Sequence, residues 1–428
     1  MCNKQKSEMV AKRIEASYLI ETSYPPEAAA EVMAGEQSCG TFIKTPGESD
    51  DLRRNHRARV EAVDVIGEVD RPSLPGARDY GPGARIQQAK VALSWPIENV
   101  GHNLPNLVST IAGNLFELAP FSGLRLLDFD VPPDFANAYD GPSYGIAGTR
   151  SLVDVHDRPI IGTIIKPSVG LTPEQTAEQT KALIEAGVDF IKDDELMGDP
   201  PHSPFDERVS MVMDVIEDYA QKTGKKPMYA FNLSGDMDDM LQRHDYLVQM
   251  GATCAMVNLN AVGISAVEYF TSYSGLPVHG HRNGWGMLTR CEALGMDFPA
   301  YQKIWRMAGV DHMHTNGLRN KFCESDESVI RSIQACLAPF VDLRSPMPVL
   351  SSGQWAGQAV DTYQAINSVD LMYLCGGGIV GHPSGIAAGV KSIIQGWEAA
   401  LQGKELEAYA EDHIELKEAM SFFSNRTQ

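Results

Sequence analysis

No apolar run in this 428-residue chain is long enough to span a bilayer, and the opening stretch MCNKQKSEMVAKR has no apolar centre of signal-peptide length. Cysteine is sparse and scattered. Its seven positions (Cys2, Cys39, Cys254, Cys291, Cys323, Cys336 and Cys375) are odd in number and never spaced as CxxC. That argues against a disulfide framework and reads as reduced cytosolic thiols. Positive charge is also in deficit, with 36 Lys and Arg against 56 Asp and Glu, a net charge of −20. So acidic a chain excludes nucleic acid or an anionic membrane as its main partner, while leaving room for a locally basic pocket that takes a phosphorylated metabolite. The expectation is a cytoplasmic protein of two domains, with a large core from its 43% hydrophobic residues.

What is present is a repeat. From about residue 159 onward, apolar β-branched runs end in polar or glycine-rich corners and are followed by segments of helical period. The runs are Pro159–Lys166, Asp189–Glu195, Pro227–Leu233, Cys254–Asn260, Pro277–Arg282, His312–Asn316, Pro348–Ser352 and Met372–Cys375. Continuous apolar strands alternating with helices predict a parallel sheet, and eight such units predict a (β/α)8 barrel over residues 141–428. Residues 1–140 read differently, with strands at Glu15–Tyr24 and Arg59–Val69 and helices at Pro26–Glu36 and Asn106–Leu118. That mixture predicts a smaller α+β domain ahead of the barrel.

The strand ends carry the chemistry. The run that closes on Lys192, Asp193, Asp194 and Glu195 sets a lysine and three carboxylates together with nothing apolar between them. Taken alone, such a run reads first as a solvated strand end with local ion pairs. The other strand ends outweigh that reading: Lys166, Asn232, Asn260, His279, His281, Arg282, His314, Ser351 to Gly353 and Gly376 to Gly378 fall at corresponding corners. In a barrel these corners form one rim, where active sites lie. Two acids suit a hard divalent cation such as Mg²⁺, which prefers oxygen ligands. Lys192 offers oxygen only after adding CO2 to form a carbamate. The glycines after the seventh and eighth strands resemble a backbone cradle for phosphate, and Arg282 with His314 suits a second anion.

The stretches GTIIKPSVGL (162–171), GVDFIKDDE (187–195), HGHR (279–282) and GGGIVGHP (376–383) resemble the large chain of ribulose-1,5-bisphosphate carboxylase/oxygenase (RuBisCO). EQSCGT (36–41) and NLVSTIAGN (106–114) extend the resemblance over nearly the whole chain. It implies a ferredoxin-like first domain and a homodimer, or a higher assembly of dimers, in which Glu36, Thr41 and Asn114 reach the neighbouring subunit's site. It implies Mg²⁺ held by Lys192 as its carbamate with Asp194 and Glu195. It implies catalytic roles for Lys166, His281 and Lys321. Arg282, His314 and Ser351 match one phosphate-binding set, and Thr41, Gly353, Gly376 and Gly377 the other.

Several positions depart from the carboxylase pattern. Ser168 stands where a second lysine is expected, Ile164 for a threonine, Phe42 for a tryptophan and Trp285 for a histidine. Without that lysine the resemblance is to the non-carboxylating, RuBisCO-like branch. The expected activity is enolisation of a phosphorylated branched keto sugar acid. Its carbon–carbon bond is then cleaved by decarboxylation or by transcarboxylation and hydrolysis, with 3-oxo-isoapionate 4-phosphate of apiose breakdown as the expected substrate. Lys321, a carboxylate-stabilising lysine, favours this over its rivals: tautomerisation of a methylthio-pentulose phosphate in methionine salvage, and a non-catalytic metabolite-binding dimer.

Overall fold

Alternation builds the first sheet. Strand β1 (Arg13–Thr22) turns Ile14, Ala16, Tyr18 and Ile20 into the core while the residues between them are more exposed. It pairs antiparallel with β3 (Ile86–Pro96) on one side and β4 (Phe121–Asp130) on the other, and β3 pairs antiparallel with β2 (Arg59–Val69). Helix Pro26–Glu36 follows β1 and helix Leu104–Ala112 follows β3, so the strand order β4-β1-β3-β2 is ferredoxin-like. In this computed structural model, residues 12–40 and 45–424 are described.

The barrel strands are β5 (Ile160–Ile164), β6 (Phe190–Lys192), β7 (Met228–Asn232), β8 (Cys254–Asn258) and β9 (Val278–His281). After β10 (Leu294–Met296) come β11 (His312–Asn316), β12 (Met347–Ser351) and β13 (Met372–Leu374). All but β10 close in parallel into an eight-stranded barrel, with β13 pairing back to β5. β7, β8 and β11 are buried along their whole length, as strands covered on both faces must be. The helices present one apolar stripe each. In Phe205–Thr223, for example, Val209, Val212, Met213 and Ile216 recur at helical spacing and are buried. Phe190, Met228, Met256, Val349 and Leu374 are among the side chains that fill the interior.

β10 does not enter the barrel. It pairs in parallel with β4, and the chain divides into one unit of Met1–Tyr139 with Gly286–Ile304 and another of Asp140–Trp285 with Trp305–Gln428. The excursion of residues 286–304 is therefore a part of the first unit that the sequence pattern did not reveal. Within it Asp297 anchors the β4 residue Arg125 at 2.5 Å.

Candidate active site

β6 is three residues long and ends on Lys192, which is 1% exposed. Its ammonium nitrogen donates to the carbonyl of Asp193 at 2.6 Å and lies 3.8 Å from Glu195 Oε2. Burial pushes the lysine below its ordinary value; Glu195, Asp194 and Asp193 pull it back up, and Lys166 pushes it down again. The deprotonated amine favoured by burial is the form that adds CO2.

The three acids after Lys192 separate by job. Asp193 turns into the barrel wall, where Tyr229 donates to Oδ1 at 2.7 Å, and the Asn232 amide at 2.9 Å and Arg208 at 3.3 Å donate to Oδ2. It is a structural carboxylate. Asp194 and Glu195 face the rim, and side-chain amides of Asn232 and Asn258 brace their backbone carbonyls. Asn258 closes β8 and escaped the sequence reading, although a polar residue ending the apolar run CAMVN is the signal that marks it.

Lys166 stands just past the end of β5. Its Nζ donates to Asp194 Oδ2 at 2.6 Å and to Ser168 Oγ at 2.8 Å. The serine found in place of a second lysine thus holds the first one in position. Gln179 clamps the Lys166 backbone at both N–H and carbonyl.

Four histidines follow the barrel interior upward. Thr149 Oγ1 donates to the Gly145 carbonyl at 2.5 Å, so its single hydrogen is spent and His312 Nε2, 2.9 Å away, must be the donor to it. Burial takes His312 from 6.5 to about 3, leaving it neutral with a lone pair on Nδ1. His279 Nδ1 donates to that lone pair at 3.2 Å, and His279 Nε2 in turn accepts from His314 Nε2 at 2.7 Å. Burial, reinforced by neighbouring positive groups, holds His279 and His314 well below the ordinary value. His314 therefore shows a bare Nδ1 toward Ser351 Oγ, 3.4 Å away. His281 accepts the Asn283 amide at Nδ1, which leaves its Nε2–H aimed at Glu195 Oε2 at 3.5 Å.

Arg282 is 7% exposed and pairs with Glu324 Oε2 at 3.2 Å. The same carboxylate accepts from Asn316 Nδ2 at 2.6 Å and from Ser328 Oγ at 2.8 Å. Glu324 was not singled out from the sequence: it is one of three acids, with Asp326 and Glu327, in a polar stretch, 42 positions from the arginine that it meets.

Ser352 and Gly353 take left-handed backbone, with φ of +74° and +92°. Ser352 holds that strained conformation by donating to Asn316 Oδ1 at 2.7 Å and accepting the Lys321 amide at 3.0 Å. Gly378 lies so near that a Cβ there would stand 2.4 Å from the Gln354 carbonyl, whereas Gly377 has nothing within 4 Å. The segments bearing Gly353, Gly376 and Gly377 therefore adjoin and leave an open space edged by backbone. Lys321 is exposed, its Nζ 5.3 Å from the centre of the Phe322 ring.

Glu36 ends the first unit's helix Pro26–Glu36, and Asn114 begins the 3-10 turn Asn114–Glu117. A Cβ on Gly113 would lie 3.0 Å from Gln37 Nε2, so the two segments adjoin within that unit. Thr41 and Phe42 lie outside the described residues.

Among the described residues, no group of three or more His, Cys, Asp and Glu side chains is arranged to hold a metal ion. The rim offers two carboxylates, one already engaged by Lys166. A hard cation there needs the further oxygen that CO2 would add to Lys192, and the depressed basicity of that amine fits this requirement.

Two family profiles cover the chain. "Ribulose bisphosphate carboxylase large chain, N-terminal domain" matches residues 8–135, and the catalytic domain of the same chain matches residues 145–423. A 3-oxo-isoapionate-4-phosphate transcarboxylase/hydrolase of Xanthobacter autotrophicus is 50% identical over 97% of this chain and 100% of its own. A 3-oxo-isoapionate-4-phosphate decarboxylase of Rhizobium rhizogenes is 45% identical over 96% of this chain and 99% of its own. The crystal structure of a rubisco-like protein from Burkholderia fungorum superposes with a TM-score of 0.90 at 44% identity, covering 96% of this chain and all of that one.

Proposed function

This chain belongs to the ribulose bisphosphate carboxylase large-chain family, and within it we propose that it is a RuBisCO-like enzyme that cleaves the carbon–carbon bond of 3-oxo-isoapionate 4-phosphate. The observation that carries this reading is full-length similarity at 45–50% identity to two enzymes of different outcome that share this one substrate. Ser168, seated on Lys166, supports it from the site, because the cation that a second lysine would bring is absent from the enolising corner.

Asp194 and Glu195, with Lys192 carrying CO2, would hold Mg²⁺, and that ion would polarise the substrate carbonyl as a Lewis acid. The protein's own groups do the rest. Lys166 delivers or removes the proton at the carbon whose bond changes, Asp194 and Ser168 fixing its nitrogen meanwhile. His281 orients Glu195 through its Nε2–H. Gly353, Gly376 and Gly377, with Thr41 contributed by a partner subunit, receive the phosphate. Arg282, His314 and Ser351 line the other end of the substrate. Glu36 and Asn114 reach the site from the partner subunit of a homodimer, and the exposed Lys321 moves in to meet the substrate carboxylate.

Decarboxylation leaves the bonding electrons on the neighbouring carbon, which takes a proton as CO2 departs. The hydrolytic route consumes one water and releases no CO2. Identity is higher to the transcarboxylase/hydrolase, so we adopt the hydrolytic route. Purified protein given Mg²⁺ and bicarbonate is expected to consume 3-oxo-isoapionate 4-phosphate and to leave a methylthio-pentulose phosphate unchanged. Turnover of the second compound with the first left intact overturns the proposal.

A further inference from the structure

Arg282 is the strongest fixed positive group at its end of the substrate site, and its electrostatic partner is built in. Arg282, Asn316 and Ser328 all donate to the Glu324 carboxylate, through Nη2, Nδ2 and Oγ. The guanidinium and the carboxylate thus form an ion pair, with Oε2 3.2 Å from Arg282 Nη2, and the two neutral donors hold the carboxylate in place. Both partners are largely buried, at 7% and 13% side-chain exposure, where solvent screens the pair weakly.

Two further observations point the same way. His314 is neutral and shows Ser351 a lone pair rather than an N–H, because the chain of donors rising from Thr149 fixes its tautomer. The ring of Trp285 lies 5.7 Å from the Arg282 guanidinium carbon, adding apolar surface. A phosphate dianion set here meets one cation already matched by an anion, a histidine nitrogen with a lone pair, and an indole. A hydroxyl meets groups that suit it: it donates to His314 Nδ1 and accepts from Arg282.

Resting on the reading of the rim as a sugar-phosphate site, we propose that the corner of Arg282, Trp285, His314 and Ser351 takes an uncharged, hydroxyl-bearing end of the substrate, and that Glu324 is the positioning residue that selects against a second phosphate there. The enzyme is thereby restricted to monophosphorylated substrates, its single phosphate lying at Gly353, Gly376 and Gly377. This proposal departs from the phosphate role that the sequence resemblance implied for Arg282, His314 and Ser351.

Calorimetric binding to the intact protein in Mg²⁺ and bicarbonate tests this without any turnover, using ribulose 1,5-bisphosphate and ribulose 5-phosphate as probes. The wild type is expected to bind the bisphosphate no more tightly than the monophosphate. Glu324→Gln, which keeps the shape and removes the charge, is expected to tighten the bisphosphate about tenfold relative to the monophosphate. Wild-type protein that prefers the bisphosphate by about tenfold or more overturns the proposal, and so does a Glu324→Gln protein that shifts both probes equally. Because only binding is read, failure here is distinct from failure of the cleavage reaction, which shows as an unconsumed substrate.

Discussion

Lys166 and Asp194 form an ion pair of 2.6 Å between the ends of adjacent barrel strands. The pair joins the lysine proposed to handle the proton to one of the two acids proposed to hold the cation. Replacing Lys166 with Met keeps the length of the side chain and removes the ammonium. Steady-state assay of Lys166→Met is expected to show kcat lower by about 10²- to 10⁴-fold, the range for loss of a general acid or base. Ser168→Ala leaves the Asp194 contact and is expected to lower kcat only about two- to tenfold.

Lys192 supplies the second prediction. Its buried amine has to react with CO2 before the rim holds enough oxygen donors for a hard cation. Electron paramagnetic resonance of Mn²⁺ is expected to show site binding that tightens by about tenfold or more on adding bicarbonate. Lys192→Met abolishes the bicarbonate effect, and Glu195→Gln weakens binding at every bicarbonate concentration.

Stability is expected to depend on pH through the interior histidines. His312 falls from 6.5 to about 3 on burial, and His279, His281 and His314 are lowered in the same direction by the same main cause. Each takes up a proton in the unfolded chain before it does so in the folded one. Stability is therefore constant above the unfolded value and declines as pH drops through the window from 6.5 toward 3. The decline is about 1.4 kcal/mol per pH unit for each histidine protonated only when unfolded. Calorimetric melting between about pH 8 and about pH 5 should show a plateau and then a fall. His312→Leu flattens the fall.

Gly377 and Gly378 are expected to separate binding from folding. A methyl on Gly378 collides with the Gln354 carbonyl at 2.4 Å and with Trp355 Cα at 2.9 Å, both backbone atoms. Gly378→Ala is therefore expected to lose about 1–3 kcal/mol in denaturant unfolding. A methyl on Gly377 meets nothing within 4 Å of the protein and enters the space assigned to phosphate. Gly377→Ala is expected to unfold like the parent and to bind inorganic phosphate more weakly.

The barrel was legible because strands buried on both faces leave unbroken apolar runs, and all eight runs read from the sequence contain or overlap the barrel strands. β3 and β4 were not. IQQAKVALSWP mixes polar and apolar residues with good helix formers, and FSGLRLLDFD carries a central Gly-Leu-Arg-Leu-Leu stretch without clear alternation. The helix expected over Asn106–Leu118 breaks at Gly113, where a backbone ψ of −126° takes the chain out of the helix before the turn at Asn114. Within the site, residues close in sequence were readable, as with Lys192, Asp194 and Glu195. Asp193 sits among them, yet the alternation of the strand turns it the other way, toward Tyr229 and Arg208. Glu324 and the histidine relay depend on contacts between distant segments, and no local spacing announces them.

Product analysis of 3-oxo-isoapionate 4-phosphate in D2O, with Mg²⁺ and bicarbonate present, separates bond cleavage from mere proton exchange in one spectrum. The expected result is two carbon fragments, one retaining the phosphate, that carry deuterium at the carbon released by cleavage. Deuterium entering a substrate whose carbon chain stays whole contradicts the account.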